Sequence, residues 1–150
     1  MDKIVIATDG SPTGKAAVTA GVELAAEEGA RAVIVHVVSI LDFAEHDNGS
    51  APAGPQRLPR TEDDAVLEDA LAEAAEHGVD ATAELLVGYP PKQIVRLAAE
   101  LGADLIVVGS RGLSRLQGVV MGSTSREVLS HAGRPVLVVQ PVRAPVPAGD

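Results

Sequence analysis

"LIVVGSRGLSRLQGVVMGSTS" runs from Leu105 to Ser125, and four glycines follow its apolar start, at 109, 112, 118 and 122. A short Ile/Val run without polar alternation reads as a strand covered on both faces. Gly109 ends that run, where a missing Cβ lets a ligand or another backbone come close. Gly112 permits a tight turn. Gly122 precedes Ser123 and Thr124 at the start of a helical stretch that reaches Ala132, with Gly133 after it. The free N–H groups of a helix N-terminus attract anions, and two hydroxyls add donors. Arg111, Arg115 and Arg126 are local cations. A phosphate suits such a loop; a glycine turn with an ordinary Ser/Thr cap is the alternative. No Gly-Lys-Ser/Thr and no GxGxxG occurs, so neither a P-loop nor a dinucleotide fingerprint is present.

The same kind of apolar run recurs along the chain, at Ile4–Ala7, Ala32–Val38, Ala83–Val87 and Pro135–Val139. Helical stretches separate these runs. The first opens with Ser11 as N-cap and Pro12 at the first helical position, and Gly29 closes it. The second opens at Thr61, with Asp64 three residues on as in a capping box, and Gly78 ends it. Leu67, Leu71, Ala74 and Ala75 form its apolar face. The third follows Pro90 and Pro91; Ile94, Leu97, Ala98 and Leu101 have helical spacing, and Gly102 stops it. This alternation predicts an α/β fold, an open parallel sheet with helices on both faces. Residues 42–60 are rich in Pro, Gly and Ala and read as a mobile surface loop. One domain is expected over 1–141, with a disordered tail at 142–150.

Composition narrows the function. The chain has 150 residues, 46% of them hydrophobic, and Tyr89 and Phe43 are its only aromatic residues. Nothing provides an aromatic platform for single-stranded nucleic acid. Twenty-one acidic against 12 basic residues give a net charge of −9, which argues against nucleic acid and anionic membranes as partners. Cysteine is absent, which excludes disulfides, thiol catalysis and Cys-based metal sites. No segment approaches the roughly 18 uninterrupted apolar residues of a membrane span. The stretch Met1–Gly10 lacks a signal-peptide core, so a cytoplasmic protein is expected.

In open parallel sheets, ligands bind outside the carboxyl ends of the strands. Thr8–Ser11 ("TDGS"), His36–Ser39 and the glycine loop should meet there. Gly109-x-x-Gly112, nine residues, then Gly122-Ser123 resembles the G-2x-G-9x-G-(S/T) motif of the ATP-binding universal stress proteins. "IVIATDGSPTGKAAV", "VIVHVV", "GYPPKQIVRLAAELGADLIVVGSRG" and "GSTSREVLSHAGRPVLVV" resemble further segments of that family, so the likeness spans nearly the whole chain. The resemblance implies a Rossmann-like sheet of five strands in order 3-2-1-4-5. It implies ATP, with Mg²⁺, as the ligand of a nucleotide-dependent regulatory module in the stress response. Asp9 would face the ribose or the metal-bound phosphates. Ala7 and Val37 would line the adenine pocket. Gly109, Arg111 and Gly112 would wrap ribose and phosphates, and Gly122, Ser123 and Thr124 would hold the phosphates. It further implies a homodimer through the last strand, about Val136 to Val139; a Val-rich edge strand would otherwise be left exposed.

Other residues have simpler readings. Asp9 has the alternative of an Asx turn or a helix cap. His36 lies in an apolar run and reads as a core histidine. His77 and His131 sit near helix ends, which favour positive charge. His36, His46, His77 and His131 have no metal-ligand spacing. "EDDAVLEDALAEAAE" (62–76) reads as a solvated acidic face. No catalytic residue is assigned: G-x-S-x-G is absent, and Asp9 is the one candidate base. Two further functions stay open at this level, a slow ATPase or phosphotransferase and a dimeric interaction protein that needs no nucleotide.

Overall fold

A computed structural model of the chain describes residues 1–39, 61–110 and 121–142. The segment 42–60, Arg111, Gly112, Arg115, Gly118 and the tail from 143 lie outside the described residues. These residues form five strands: β1 (Lys3–Ala7), β2 (Arg31–Ser39), β3 (Ala81–Gly88), β4 (Leu105–Gly109) and β5 (Val136–Val139). Among the described residues, four helices lie between them: α1 (Pro12–Glu28), α2 (Thr61–Glu76), α3 (Pro90–Leu101) and α4 (Ser123–His131). All strand pairs are parallel, in the order β3-β2-β1-β4-β5.

Alternate residues of each central strand feed two separate cores. Ile4, Ile6, Ile34 and Val107 pack with Val18 and Val22 of α1 and Leu67 of α2. Val5, Val35, Ile106 and Val108 pack with Ile94 and Leu97 of α3 and Val128 of α4. With both faces buried, the central strands are apolar at nearly every position, which is why the runs read as continuous. β3 departs from that pattern. It is an edge strand, and Thr82 and Glu84 alternate outward.

Local signals set the helix ends. The Ser11 side chain accepts from the Gly14 amide, and Pro12 fills the first helical position of α1. Gly29 and Gly102 close α1 and α3 in the left-handed region, at φ of 67° and 62°. Thr61 is already helical, the first residue of α2. The buried face of α2 is Asp63, Leu67, Ala70 and Ala74; Ala75 is exposed instead. Small residues bring α1 close to the sheet: a Cβ on Gly21 would lie 2.6 Å from Ile6 Cδ1.

Candidate functional site

Helices in this layout run back against the strands, so helix N-termini gather at the carboxyl end of the sheet. The ends of β1, β2 and β4 and the starts of α1, α3 and α4 enclose a cleft of about 290 Å³ there. That volume falls at the low end for small-molecule sites. Ala7, Val37, Ile94 and Val108 supply an apolar wall. Asp9, Thr13, Thr124 and Ser125 supply polar groups. The combination suits a ligand with one apolar, planar part and one polar or anionic part.

The turn after β1 is held from within. Asp9 Oδ1 accepts from the Ser11 amide at 2.9 Å and from the Ser11 hydroxyl. The Asx turn is therefore present, and Asp9 also lines the cleft and is solvent-exposed. Gly14 lies directly behind: a Cβ there would come 2.6 Å from Asp9 Oδ1 and 2.8 Å from Thr8 Oγ1. Gly10 has φ of +79° and lies against Val66 of α2.

Gly109 has a role that only the tertiary structure reveals. A Cβ on it would lie 2.4 Å from the Thr13 carbonyl oxygen, an impossible contact with backbone. Of the two partners a bare Cα admits, ligand or backbone, the one in contact is the backbone of α1. The Gly109 carbonyl also accepts from the Ser125 hydroxyl at 2.6 Å, and Ser125 is 1% exposed. The end of β4 is thus bolted to the first turns of both α1 and α4. α3 and α4 are joined at the rim, where the Tyr89 hydroxyl donates to the Glu127 carboxylate. That bond raises the Tyr89 pKa.

Of the predicted site residues, Ala7, Asp9, Val37, Gly109 and Thr124 line the cleft. Gly122 and Ser123 stand just before Thr124, at the N-cap and first position of α4. Arg111 and Gly112 lie outside the described residues. Thr13, Gly14 and Ser125 join the site unforeseen, as does a buried polar pair beneath it. His36 Nδ1 lies 3.0 Å from the Thr8 carbonyl oxygen, and Nε2 lies 2.9 Å from Asp63 Oδ1. His36 is 7% exposed and Asp63 8%, so the acidic helix face is not wholly solvated. Asp63 shares the helical phase of Leu67, Ala70 and Ala74; that phase is the signal that distinguishes it from its acidic neighbours. No group of three or more His or acidic side chains among the described residues is arranged to hold a metal ion. No helix among them is long and apolar enough to cross a membrane.

An open parallel α/β sheet with a cleft at its carboxyl end, fed by several helix N-termini, defines a domain of the doubly wound class, in which ligands bind at that end of the sheet. Residues 1–140 match the model of the universal stress protein family, and the chain belongs to that family. It is 35% identical to the universal stress protein YxiE of Bacillus subtilis over 151 aligned positions, 93% of this chain and 99% of that protein. Its fold is similar to that of a universal stress protein in complex with cAMP, with 29% identity, a TM-score of 0.71, and 94% and 98% of the two chains covered. It is also similar to the universal stress protein from Archaeoglobus fulgidus in complex with dAMP, with 26% identity, a TM-score of 0.68, and 93% and 98% covered.

Proposed function

We propose that this chain binds an adenine nucleotide, ATP with Mg²⁺, in the carboxyl-end cleft and acts as a nucleotide-dependent regulatory module in the stress response. One observation carries the reading: apolar Ala7 and Val37 and the phosphate-suited start of α4, with Thr124, share one cleft. Adenine would lie against Ala7 and Val37. The phosphates would reach the N–H groups and hydroxyls of Gly122, Ser123 and Thr124. Asp9 would turn to the ribose or to the magnesium ion. Phosphate oxygens would hold most of that ion's coordination, since Mg²⁺ is commonly bound through one or two carboxylates plus substrate phosphates. Arg111 and Gly112 enter through the resemblance of the glycine motif. Complexes of two similar proteins with cAMP and dAMP support the nucleotide class.

The regulatory part is supported by the likeness to universal stress proteins. Asp9 already accepts from Ser11 and serves as a binding group. A homodimer in the cytoplasm completes the proposal. The dimer is supported by β5, which among the described residues pairs with β4 alone and leaves Leu137 38% exposed. Calorimetric titration of nucleotide-stripped protein with ATP and Mg²⁺, alongside AMP and the Gly122→Val variant, tests the site. Binding by the wild type that the variant loses is expected; a folded wild type that takes up no nucleotide at millimolar concentration rejects the reading.

A further inference from the structure

The His36–Asp63 pair is a buried polar link between the turn after β1 and the start of α2. Thr8 belongs to the turn that carries Asp9. Asp63 belongs to the first turn of α2. His36 stands between them, 3.0 Å from the Thr8 carbonyl and 2.9 Å from Asp63 Oδ1. α2 also touches the turn through Val66, which lies over Gly10.

The bridge has a proton requirement. A carbonyl oxygen accepts only, and so does an ionised carboxylate. A neutral imidazole has one N–H to donate, whereas an imidazolium has two. Both contacts are hydrogen bonds only while the pair holds one proton more than a neutral ring and an ionised carboxylate have between them. When that proton leaves to water, one ring nitrogen presents a lone pair to an acceptor, and the bridge parts at that end. Among the described residues, the groups facing His36 include Thr8 just after β1, Asp63 of α2 and, across the sheet, Leu85 of β3. Asp9 is the remaining titratable side chain on the described cleft wall, and its Oδ1 accepts from Ser11.

We propose that His36 is a proton-dependent positioning residue that couples the start of α2 to the binding turn of the cleft. With the proton aboard, turn and helix are held as one unit. Without it, the turn and α2 are linked through the Val66–Gly10 contact and shift relative to each other.

The test is a pH titration of the ligand-free protein by nuclear magnetic resonance, across roughly pH 5 to 8 where histidines titrate. The His36 ring, the amides of Thr8 to Ser11 and those of Asp63 to Val66 are expected to shift with one common midpoint. His36→Gln should abolish the joint transition, because a side-chain amide does not titrate. Asp63→Asn should uncouple the helix alone: an asparagine amide can donate to a neutral ring or accept from a charged one, so that contact survives either state. A His36 ring that titrates without both segments moving overturns the proposal. So does a joint transition that persists in His36→Gln. The consequence for binding rests on the nucleotide reading above. Gaining the proton adds one positive charge to the cleft wall, so the wild type should bind ATP about fivefold better, relative to His36→Gln, at the acid end than at the alkaline end. Failure of both proteins to bind ATP at any pH would reject the nucleotide reading, while the resonance titration would still decide this one.

Discussion

The two ends of this sheet are built from the same strands and do opposite things. At the amino end the backbone closes on itself. Asp104 Oδ2 accepts from the amides of Asp2 and Lys3, at 2.7 and 3.1 Å, and Lys3 Nζ donates to the Leu101 carbonyl. The Arg134 guanidinium donates to the Ala98 and Ala103 carbonyls, at 3.0 and 2.6 Å. These side chains satisfy polar groups that strand starts and helix C-termini leave over. At the carboxyl end, helix N-termini and side chains turn toward a cleft. Glycines show the same division. Gly29, Gly78 and Gly102 at the amino end have positive φ and nothing within 4 Å of a Cβ position. Gly14 and Gly109 at the carboxyl end have contacts of 2.6 and 2.4 Å at that position. The first group exists for backbone conformation, the second for close approach.

Substitutions can break that division. Gly109→Ala should have the largest effect, about 3 kcal/mol of lost stability, because the obstacle is the Thr13 carbonyl and backbone cannot rotate away. Urea denaturation measures it; a loss under 1 kcal/mol would mean that α1 sits further from β4 than described. Gly14→Ala should cost less, about 2 kcal/mol, since the Asp9 carboxylate can be pushed aside. It should also weaken ATP binding, which calorimetry reads directly. At the other end Gly78→Ala should cost about 1 kcal/mol, the penalty for a left-handed alanine, and Gly78→Asn still less. Neither should alter nucleotide affinity.

The smallest effect is electrostatic. Backbone amides of Asp2 and Lys3 hold the Asp104 carboxyl below its ordinary range. A carboxyl with a lowered folded-state pKa contributes stability above its unfolded value, and the contribution fades as pH falls through the folded one. Asp104→Asn should therefore be slightly less stable than wild type at neutral pH. That difference should shrink below about pH 4, as thermal melts over an acid series would record. A constant difference across the series would show that the amides bind the asparagine equally well.

Much of this was readable in the residues, for identifiable reasons. The central strands announced themselves because burial on both faces leaves little room for polar residues. The helix ends announced themselves through Ser11, Pro12, Gly29 and Gly102, whose roles are local. The apolar run Ala83–Val87 marks only the middle of β3, because an edge strand tolerates Thr82 and Glu84. In the sequence Gly109 is open to either a ligand or a backbone, since only the approach of α1 chooses between them. Asp63 was hidden within "EDD", where composition says solvent and only helical phase says core. Ser125 carries no local signal, because its partner is a carbonyl 16 residues earlier.

The central claim is that the carboxyl end of the sheet is the nucleotide site. The most direct measurement is an amide chemical-shift map of the ligand-free protein titrated with ATP and Mg²⁺. The account predicts saturable shifts at Ala7 to Gly14, Val37 to Ser39, Gly109 and Gly122 to Ser125, with Gly29, Gly78, Gly102 and Asp104 unmoved. Shifts gathered at the amino end, or none at saturating ATP, would contradict it.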